Sequence, residues 1–246
     1  GVWHSLPKAV LVVGTAAPPA PTSAPPSPTP TPTATGSGPS WDASGAWDSK
    51  LKEEFEGAAL SAARWNDGWF GTGITGPVNS AETIKYNSAN VSVADGSLHL
   101  RITGGYGAHI NSDGKFSFSR GAVEYRALLP ASGGKVANWP ALWDNGQSWP
   151  VDGENDTAEG LDGQVCTYWH AAGTDEGSCH GSTYAGAWHT YGYEWTATEV
   201  TWYYDGIKVR EQPTTVSSPH YLILQNTQGS YGGPEADTDL KVDYVR

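Results

Sequence analysis

The fold class is decided by the stretch Val91-Ser92-Val93-Ala94-Asp95-Gly96-Ser97-Leu98-His99-Leu100-Arg101-Ile102. Apolar and polar side chains alternate on both sides of Asp95-Gly96, a dipeptide that two-residue β-hairpin turns prefer. The same pattern recurs in Val200–Arg210, around Asp205-Gly206. Two hairpins of this kind predict antiparallel β-structure.

Further along the chain, His189–Trp195, Tyr221–Leu224 and Leu240–Val245 also show strand patterns. Many short strands with Gly-rich turns are typical of a β-sandwich. Leu51–Ala63, rich in Glu and Ala, is the best helical candidate, but Gly57 interrupts it and it has no clean apolar stripe. We therefore predict an all-β, antiparallel sandwich.

Composition divides the chain into three parts. Residues 18–40 contain nine prolines among Thr, Ser and Ala, which predicts a disordered, extended tether. Residues 1–17 place Lys8 before the apolar run Ala9–Val13, as in the remnant of an export signal, although unrelated upstream sequence fits as well. We expect residues 41–246 to form the globular domain of a secreted, extracellular protein.

Charge excludes several partners. The chain has 14 basic and 26 acidic residues, a formal net charge of −12. Nucleic acids and anionic lipid surfaces require clustered Lys and Arg, so neither is expected as a partner. No apolar run approaches the ~20 residues of a membrane span.

The strongest chemical signal is Gly153-Glu154-Asn155-Asp156-Thr157-Ala158-Glu159-Gly160. In a strand, Glu154 and Asp156 share a face, whereas Glu159, at an odd offset, reaches that face only if a β-bulge lies near Thr157-Ala158. Crowded carboxyls cannot all ionise easily, so one pKa rises. The cluster would then hold one carboxylate to attack and one acid to donate, as glycoside cleavage requires. A solvated acidic turn or a calcium loop is the alternative.

Aromatic residues precede these acids. Trp139, Trp143 and Trp149 are suited to stacking on the apolar faces of sugar rings, although they would also be acceptable core residues. Glu124 and Arg126 form another pair on one strand face, for which a surface salt bridge is the alternative.

Two cysteines, Cys166 and Cys179, flank a polar loop. In an exported chain this pair predicts a disulfide. A zinc site with His170 and His180 is the alternative, but the spacing does not match common zinc motifs.

Three segments resemble glycoside hydrolase family sixteen in order and spacing: Ser119–Arg126, Trp139–Trp143 and Glu154–Glu159. The resemblance covers about Phe55 to Arg246. It implies a jelly-roll sandwich with a substrate cleft across the concave sheet and a retaining mechanism. It also argues against a helix at Leu51–Ala63.

Carried over to this sequence, the resemblance implies that Glu154 is the nucleophile, Glu159 the general acid/base, and Asp156 the carboxylate that orients Glu154. It implies substrate contacts for Glu124, Arg126, Trp139, Trp143, Trp149, His170 and Gln225. His170 is expected beside the acid/base, with a purely structural histidine as the alternative, and Gln225 stands where the family usually has Asn. The family prefers Ile or Val at Asn155 and Thr157, so a buried Asn155 would need hydrogen-bond partners.

Two residues separate Asp156 from Glu159, which is the spacing of laminarinases. We therefore expect a monomeric endo-hydrolase of a neutral β-glucan polysaccharide, with β-1,3-glucan as substrate. The alternatives are a β-1,3-1,4-glucanase, another family-sixteen glycanase or transglycosylase, and a carbohydrate-binding sandwich without turnover. No cofactor is required; family members often hold a structural Ca²⁺ on the convex face, but no metal ligands follow from this sequence.

Overall fold

The computed structural model describes residues 38–44, 47–69 and 71–246. The expectations for residues 1–17 and for most of 18–40 lie outside the described residues. Within these described residues, one 3₁₀ helix, Ser88–Asn90, accompanies the strands. The strands are β1 Ile74–Thr75, β2 Lys85–Asn87, β3 Val91–Ala94, β4 Ser97–Ile102, β5 Tyr106–Asn111, β6 Gly121–Leu128, β7 Ala131–Ser132, β8 Lys135–Val136, β9 Trp139–Asn145, β10 Glu154–Leu161, β11 Gln164–Ala171, β12 Thr174–Cys179, β13 Trp188–Trp195, β14 Glu199–Tyr204, β15 Ile207–Pro213, β16 Tyr221–Thr227 and β17 Thr238–Val245.

These strands form two large sheets. The 8-stranded sheet has the order β1-β2-β5-β16-β9-β10-β11-β12, the 7-stranded sheet has the order β15-β14-β13-β6-β17-β4-β3, and β7 pairs with β8. Within the described strands, β2 and β5 pair in parallel and the other pairs are antiparallel. The predicted jelly-roll β-sandwich is confirmed, with this one parallel pair as an exception.

Both predicted hairpins are present, as β3–β4 and β14–β15. Asp95 and Gly96 have φ angles of 51° and 71°, and Asp205 and Gly206 have φ angles of 49° and 75°. Positive φ at both central residues is the signature of the type I′ turn, whose twist matches that of the flanking strands. Local sequence therefore determines these two connections.

The core between the sheets is aromatic. Its largest fully buried side chains include Trp169, Trp195, Trp202, Tyr125 and Tyr193. Phenol and indole groups bring O–H and N–H donors into this interior, and buried donors need acceptors there. The inter-sheet space is therefore partly polar.

The segment Leu51–Ala63 is not helical. Glu53 forms an antiparallel bridge with Val245 of β17, and its carboxylate accepts a hydrogen bond from the indole of Trp65 at 3.1 Å. Phe55 has a φ angle of 48°, outside the helical range. Tertiary contacts thus override the helix-favouring Glu and Ala content.

The expectation that Glu124 and Arg126 lie in the cleft is wrong. Their strand, β6, belongs to the 7-stranded sheet, between β13 and β17. Tyr125 points into the inter-sheet core, so its neighbours Glu124 and Arg126 face outward. Tyr244 donates to Glu124 at 2.7 Å, and Arg126 pairs with Asp243 at 2.8 Å, so both residues are structural.

Among the described residues, no helix has the length and apolar character needed to cross a membrane.

Candidate active site

Strand β10 carries the predicted bulge. Asp156 pairs with Tyr168 of β11, and the next pair joins Glu159 to Cys166, so two residues of β10 oppose one residue of β11. The pairing with β9 shifts between Asp156 and Ala158 as well. Ala158 is fully buried in the core, and the bulge brings Glu159 to the face that Glu154 and Asp156 occupy, which we call the cleft face.

Burial and mutual repulsion raise the pKa of all three cleft carboxyls. Burial first, and then the charge of Asp156, raise the pKa of Glu159 to about 8. Burial, with Asp144 and Asp175 nearby, raises the pKa of Asp156 to about 8. The pKa of Glu154 is raised well above its usual range by burial and then by Asp156, against the opposing effect of His170. The expectation of a single raised pKa was therefore too simple, and the cluster holds protons near neutral pH.

His170 lies beside Glu154 and Asp156. Antiparallel pairing sets His170 opposite Glu154 and Cys166 opposite Glu159. His170 Nε2 is 3.2 Å from Asp156 Oδ2 and 3.6 Å from Glu154 Oε1, and Nδ1 is 3.0 Å from Asp175 Oδ1. The histidine is thus nearer to the predicted nucleophile than to the predicted acid/base, because the strand register places it there.

Trp139 holds Glu159. The indole Nε1–H of Trp139 donates to Glu159 Oε1 at 2.7 Å, and this hydrogen bond opposes the rise in the pKa of Glu159. Tyr231 packs edge-on against the Trp139 ring, with 5.3 Å between the centroids. Stacking on sugar rings is the role predicted for Trp139. The structure adds a second role, which is to orient the carboxyl of Glu159.

Trp143 belongs to an apolar patch on the cleft face. It packs with Ala141, Tyr221 and Ile223, and its ring lies nearly parallel to that of Trp69, with 6.0 Å between the centroids and 10° between the planes. Flat indole surfaces of this kind are suited to contact with sugar rings.

Trp149 is placed differently from the other two tryptophans. It lies in the connection from β9 to β10, which enters β10 at Glu154, and its side chain is 60% exposed. Contact between Trp149 and substrate stays a prediction.

Gln225 lies on the cleft face of β16, paired with His109 of β5. Burial lowers the pKa of His109 to about 3, so the imidazole is neutral. His109 Nδ1, Gln225 Oε1 and Trp143 Nε1 are buried and have no hydrogen-bond partner among the described residues. Buried polar atoms normally find partners, and a bound sugar would supply hydroxyls.

Sequence reasoning missed His109, Trp69 and Tyr221. Alternation along β16 could have placed Tyr221 on the cleft face, because it lies four residues from Gln225. His109 could have been placed on one face of β5 in the same way. Trp69 lies outside the strands, so no periodicity marks it.

The predicted disulfide is present. Cys166 and Cys179 are bonded to each other and are paired residues of β11 and β12. Neither thiolate is free to bind zinc. The bond joins β11, the neighbour of β10, to the edge strand β12.

Within the described residues, one group of three His, Cys, Asp or Glu side chains converges closely enough to hold a metal ion: Glu154, Asp156 and His170. This group lies in the cleft rather than on the convex sheet, and imidazole is not a ligand that Ca²⁺ prefers. The described residues therefore provide no candidate ligands for a structural calcium ion on the convex sheet, and this ion stays an expectation.

Carboxyls that share protons, next to indoles on one face of a jelly-roll sandwich, are equipped to cleave glycosidic bonds, which places the fold and site in the class of glycoside hydrolases. The model of the family described as Glycosyl hydrolases family 16 matches residues 78–244, more than half of the chain. The chain belongs to glycosyl hydrolase family 16.

Individual relatives agree. The chain is 29% identical to glucan endo-1,3-beta-glucosidase A1 of Niallia circulans, over 79% of this chain and 37% of that protein. It is 24% identical to endo-1,3-1,4-beta-glycanase ExsH of Rhizobium meliloti, over 82% of this chain and 47% of that protein. The chain thus spans less than half the length of these curated relatives.

Among solved structures, the catalytic domain of an endo-1,3-beta-glucanase (laminarinase) from Thermotoga petrophila superposes with a TM-score of 0.68 at 26% identity. The match covers 81% of this chain and 96% of that chain. The sandwich described here therefore corresponds to nearly all of a laminarinase catalytic domain.

Proposed function

We propose that this domain is a retaining endo-hydrolase of neutral β-glucan, with β-1,3-glucan as its substrate. The observation that carries the proposal is the bulge in β10, which sets Glu154, Asp156 and Glu159 on one face of the sheet. The relatives named as endo-1,3-beta-glucosidase and laminarinase support the 1,3 linkage.

In the first step, Glu159 donates its proton to the glycosidic oxygen while a carboxylate oxygen of Glu154 attacks the anomeric carbon. The carbon–oxygen bond to the leaving glucan breaks, and a glycosyl ester forms on Glu154. In the second step, Glu159, now ionised, takes a proton from water. The water oxygen attacks the anomeric carbon and releases Glu154, so two inversions give net retention.

The surroundings of the two glutamates support this division of roles. A pKa of about 8 keeps Glu159 protonated at neutral pH, and Trp139 fixes the direction of its carboxyl. His170 Nε2, 3.6 Å from Glu154, favours the charged form of that residue. This contact opposes the rise in the pKa of Glu154 that burial and Asp156 cause, and it supports the role of Glu154 as the attacking carboxylate.

The substrate class follows from charge and surface. A net charge of −12 disfavours sulfated galactans and uronate polymers. The aromatic patch around Trp143 offers flat, uncharged contact surface. A β-1,3-1,4-glucan is the second candidate, favoured by the relationship to the Rhizobium meliloti glycanase.

Reducing-sugar release from a panel of polymers tests the proposal: laminarin, barley mixed-linkage glucan, agarose and carrageenan. We expect the highest rate on laminarin and no release from carrageenan. Glu154→Gln and Glu159→Gln, which keep the side-chain shape, are the controls. Wild-type activity no higher than that of these variants on every polymer would instead favour a carbohydrate-binding sandwich.

We also propose that the protein is secreted and works as a monomer without a cofactor. The disulfide supports secretion because such bonds persist in oxidising compartments. Gel filtration at micromolar concentration tests the monomer, and elution as a dimer would contradict it.

A further inference from the structure

A carboxylate lies fully buried in the aromatic, partly polar core between the two sheets. Asp144 of β9 lies between the cleft-face residue Trp143 and Asn145, faces the opposite sheet, and is fully buried. Tyr193 donates to Asp144 Oδ2 at 2.7 Å, and Asn155 Nδ2 donates to the same oxygen at 3.0 Å. The carboxylate is thus bound by groups from two other strands.

The remaining oxygen of Asp144 contacts His220, which is also fully buried and directly precedes β16. His220 Nδ1 lies 2.6 Å from Asp144 Oδ1, and His220 Nε2 lies 2.7 Å from the carbonyl oxygen of Asp152. A carbonyl oxygen only accepts, so Nε2 carries a proton, and a carboxylate accepts from Nδ1 in the same way. His220 is therefore an imidazolium. Burial alone would lower its pKa, but the hydrogen bond and charge of Asp144 raise it overall.

This ion pair contacts the chain on both sides of Glu154. On one side, His220 holds the carbonyl of Asp152, two residues before Glu154. On the other side, Asp144 holds the side chain of Asn155, the residue after Glu154.

The peptide that leads into Glu154 is closely packed. Gly153 has a φ angle of 85°, and a Cβ atom there would lie 3.2 Å from His220 Nε2 and 3.0 Å from Val216. The Asp152 side chain is fixed as well, because Ser218 donates to it at 2.8 Å. A shift of His220 would therefore shift the peptide that carries Glu154.

Asn155 has the partners that a buried amide needs. Trp202 Nε1 donates to its Oδ1 at 2.7 Å, and its Nδ2 reaches Thr157 Oγ1 at 2.9 Å as well as Asp144. The two residues that depart from the apolar pattern of the family, Asn155 and Thr157, are thus parts of one network with Asp144. Buried ion pairs contribute little net stability compared with apolar residues of similar volume. The contacts on either side of Glu154 suggest a different role.

We propose that Asp144 and His220 are positioning residues that set the place of Glu154 in the cleft through the Asp152 carbonyl and the Asn155 side chain. This inference rests on the proposed function, in which Glu154 is the nucleophile. A displacement of the nucleophile by even 1 Å strongly lowers the rate of the chemical step. We therefore expect the Asp144–His220 pair to affect turnover more than substrate binding.

Two substitutions of His220 separate positioning from simple burial of a polar group. Glutamine sets its amide near the position of Nε2 and can still donate to the Asp152 carbonyl. Asparagine sets its amide near Nδ1 and keeps only the contact with Asp144. We expect His220→Asn to lower kcat on laminarin by about 10–100-fold with little change in KM, and His220→Gln to recover most of that loss.

The matched control is His99, which is buried in the 7-stranded sheet and contacts Asp239 at 2.7 Å through Nδ1. His99→Asn should leave kcat within about twofold of wild type. Equal kcat for His220→Gln and His220→Asn, or a change in KM alone, would overturn the proposal.

Gly153→Ala provides a second test if the His220 variants do not fold, because its Cβ atom would crowd His220 Nε2 and Val216 and so displace the same peptide. We expect a loss of kcat, and an unchanged kcat would also contradict the proposal. A wild-type protein that releases no sugar from any polymer would contradict the proposed function instead, and that result is obtained before any variant is compared.

Discussion

Replacing Trp139 by phenylalanine removes one hydrogen bond from the general acid and keeps an aromatic ring in its place. In the wild-type protein the indole N–H donates to Glu159 Oε1 at 2.7 Å and lowers a pKa that burial has raised. Without this donor, the ionised form of Glu159 loses more than the protonated form. The pKa of Glu159 should therefore rise further.

The magnitude follows from the type of bond. A hydrogen bond to a charged group contributes about 1.5–3 kcal/mol, and one pKa unit corresponds to 1.36 kcal/mol. Protonated Glu159 also accepts part of this hydrogen bond from Trp139, so the lower end of the energy range applies. We therefore expect the pKa of Glu159 to rise by about one unit in Trp139→Phe. The alkaline limb of kcat/KM, near pH 8 in the wild type because the pKa of Glu159 is about 8, should move up by that amount.

The assay is the pH profile of kcat/KM on laminarin from pH 4 to pH 10. Trp143→Phe is the matched control, because Trp143 is on the same strand and face but its Nε1 has no hydrogen-bond partner among the described residues. Its alkaline limb should stay in place. An unmoved limb in Trp139→Phe, or equal movement in both variants, would refute the assignment of Glu159 as the acid.

Three further predictions concern stability and binding. The raised pKa of Glu159 means that the folded protein holds a proton that the unfolded chain releases between pH 4.5 and about 8, so stability falls as pH rises through that range. One pKa unit corresponds to 1.36 kcal/mol, so Glu159→Gln should raise the free energy of unfolding by up to about 4 kcal/mol at pH 8 and hardly at all at pH 4, as measured by urea denaturation. The same gain at both pH values would contradict this. Replacing Cys166 and Cys179 by alanine should lower that free energy by about 2–4 kcal/mol and leave kcat unchanged, whereas unchanged stability would show that the disulfide does not constrain the unfolded chain. Trp143→Ala should weaken oligosaccharide binding by about 1–3 kcal/mol in calorimetry, and loss of folding with binding intact per folded molecule would identify Trp143 as a core residue.

The features that sequence predicted best are local. Asp95-Gly96 sits between alternating residues, and that pattern determines a type I′ hairpin wherever it lies in the fold. The bulge in β10 is predictable for a similar reason, because only an extra residue brings Glu159 to the face of Glu154 and Asp156.

The features that sequence did not predict depend on contacts between distant strands. Alternation shows that Glu124 and Arg126 share a face, but it does not show which sheet contains their strand. Likewise, the need of Asn155 for partners is evident from sequence, whereas the identity of Asp144 and Trp202 as those partners emerges only when β9 and β14 pack around it.

Azide rescue tests the central claim, the division of labour between Glu154 and Glu159, most directly. With an activated aryl β-glycoside and azide, Glu154→Ala should yield the α-glycosyl azide, because the anion enters the space that the nucleophile leaves. Glu159→Ala should yield the β-glycosyl azide, because azide attacks the covalent intermediate on Glu154. NMR of the products distinguishes the two anomers. The reverse pattern would exchange the two roles, and full activity of either variant on laminarin would show that this cluster is not the active site.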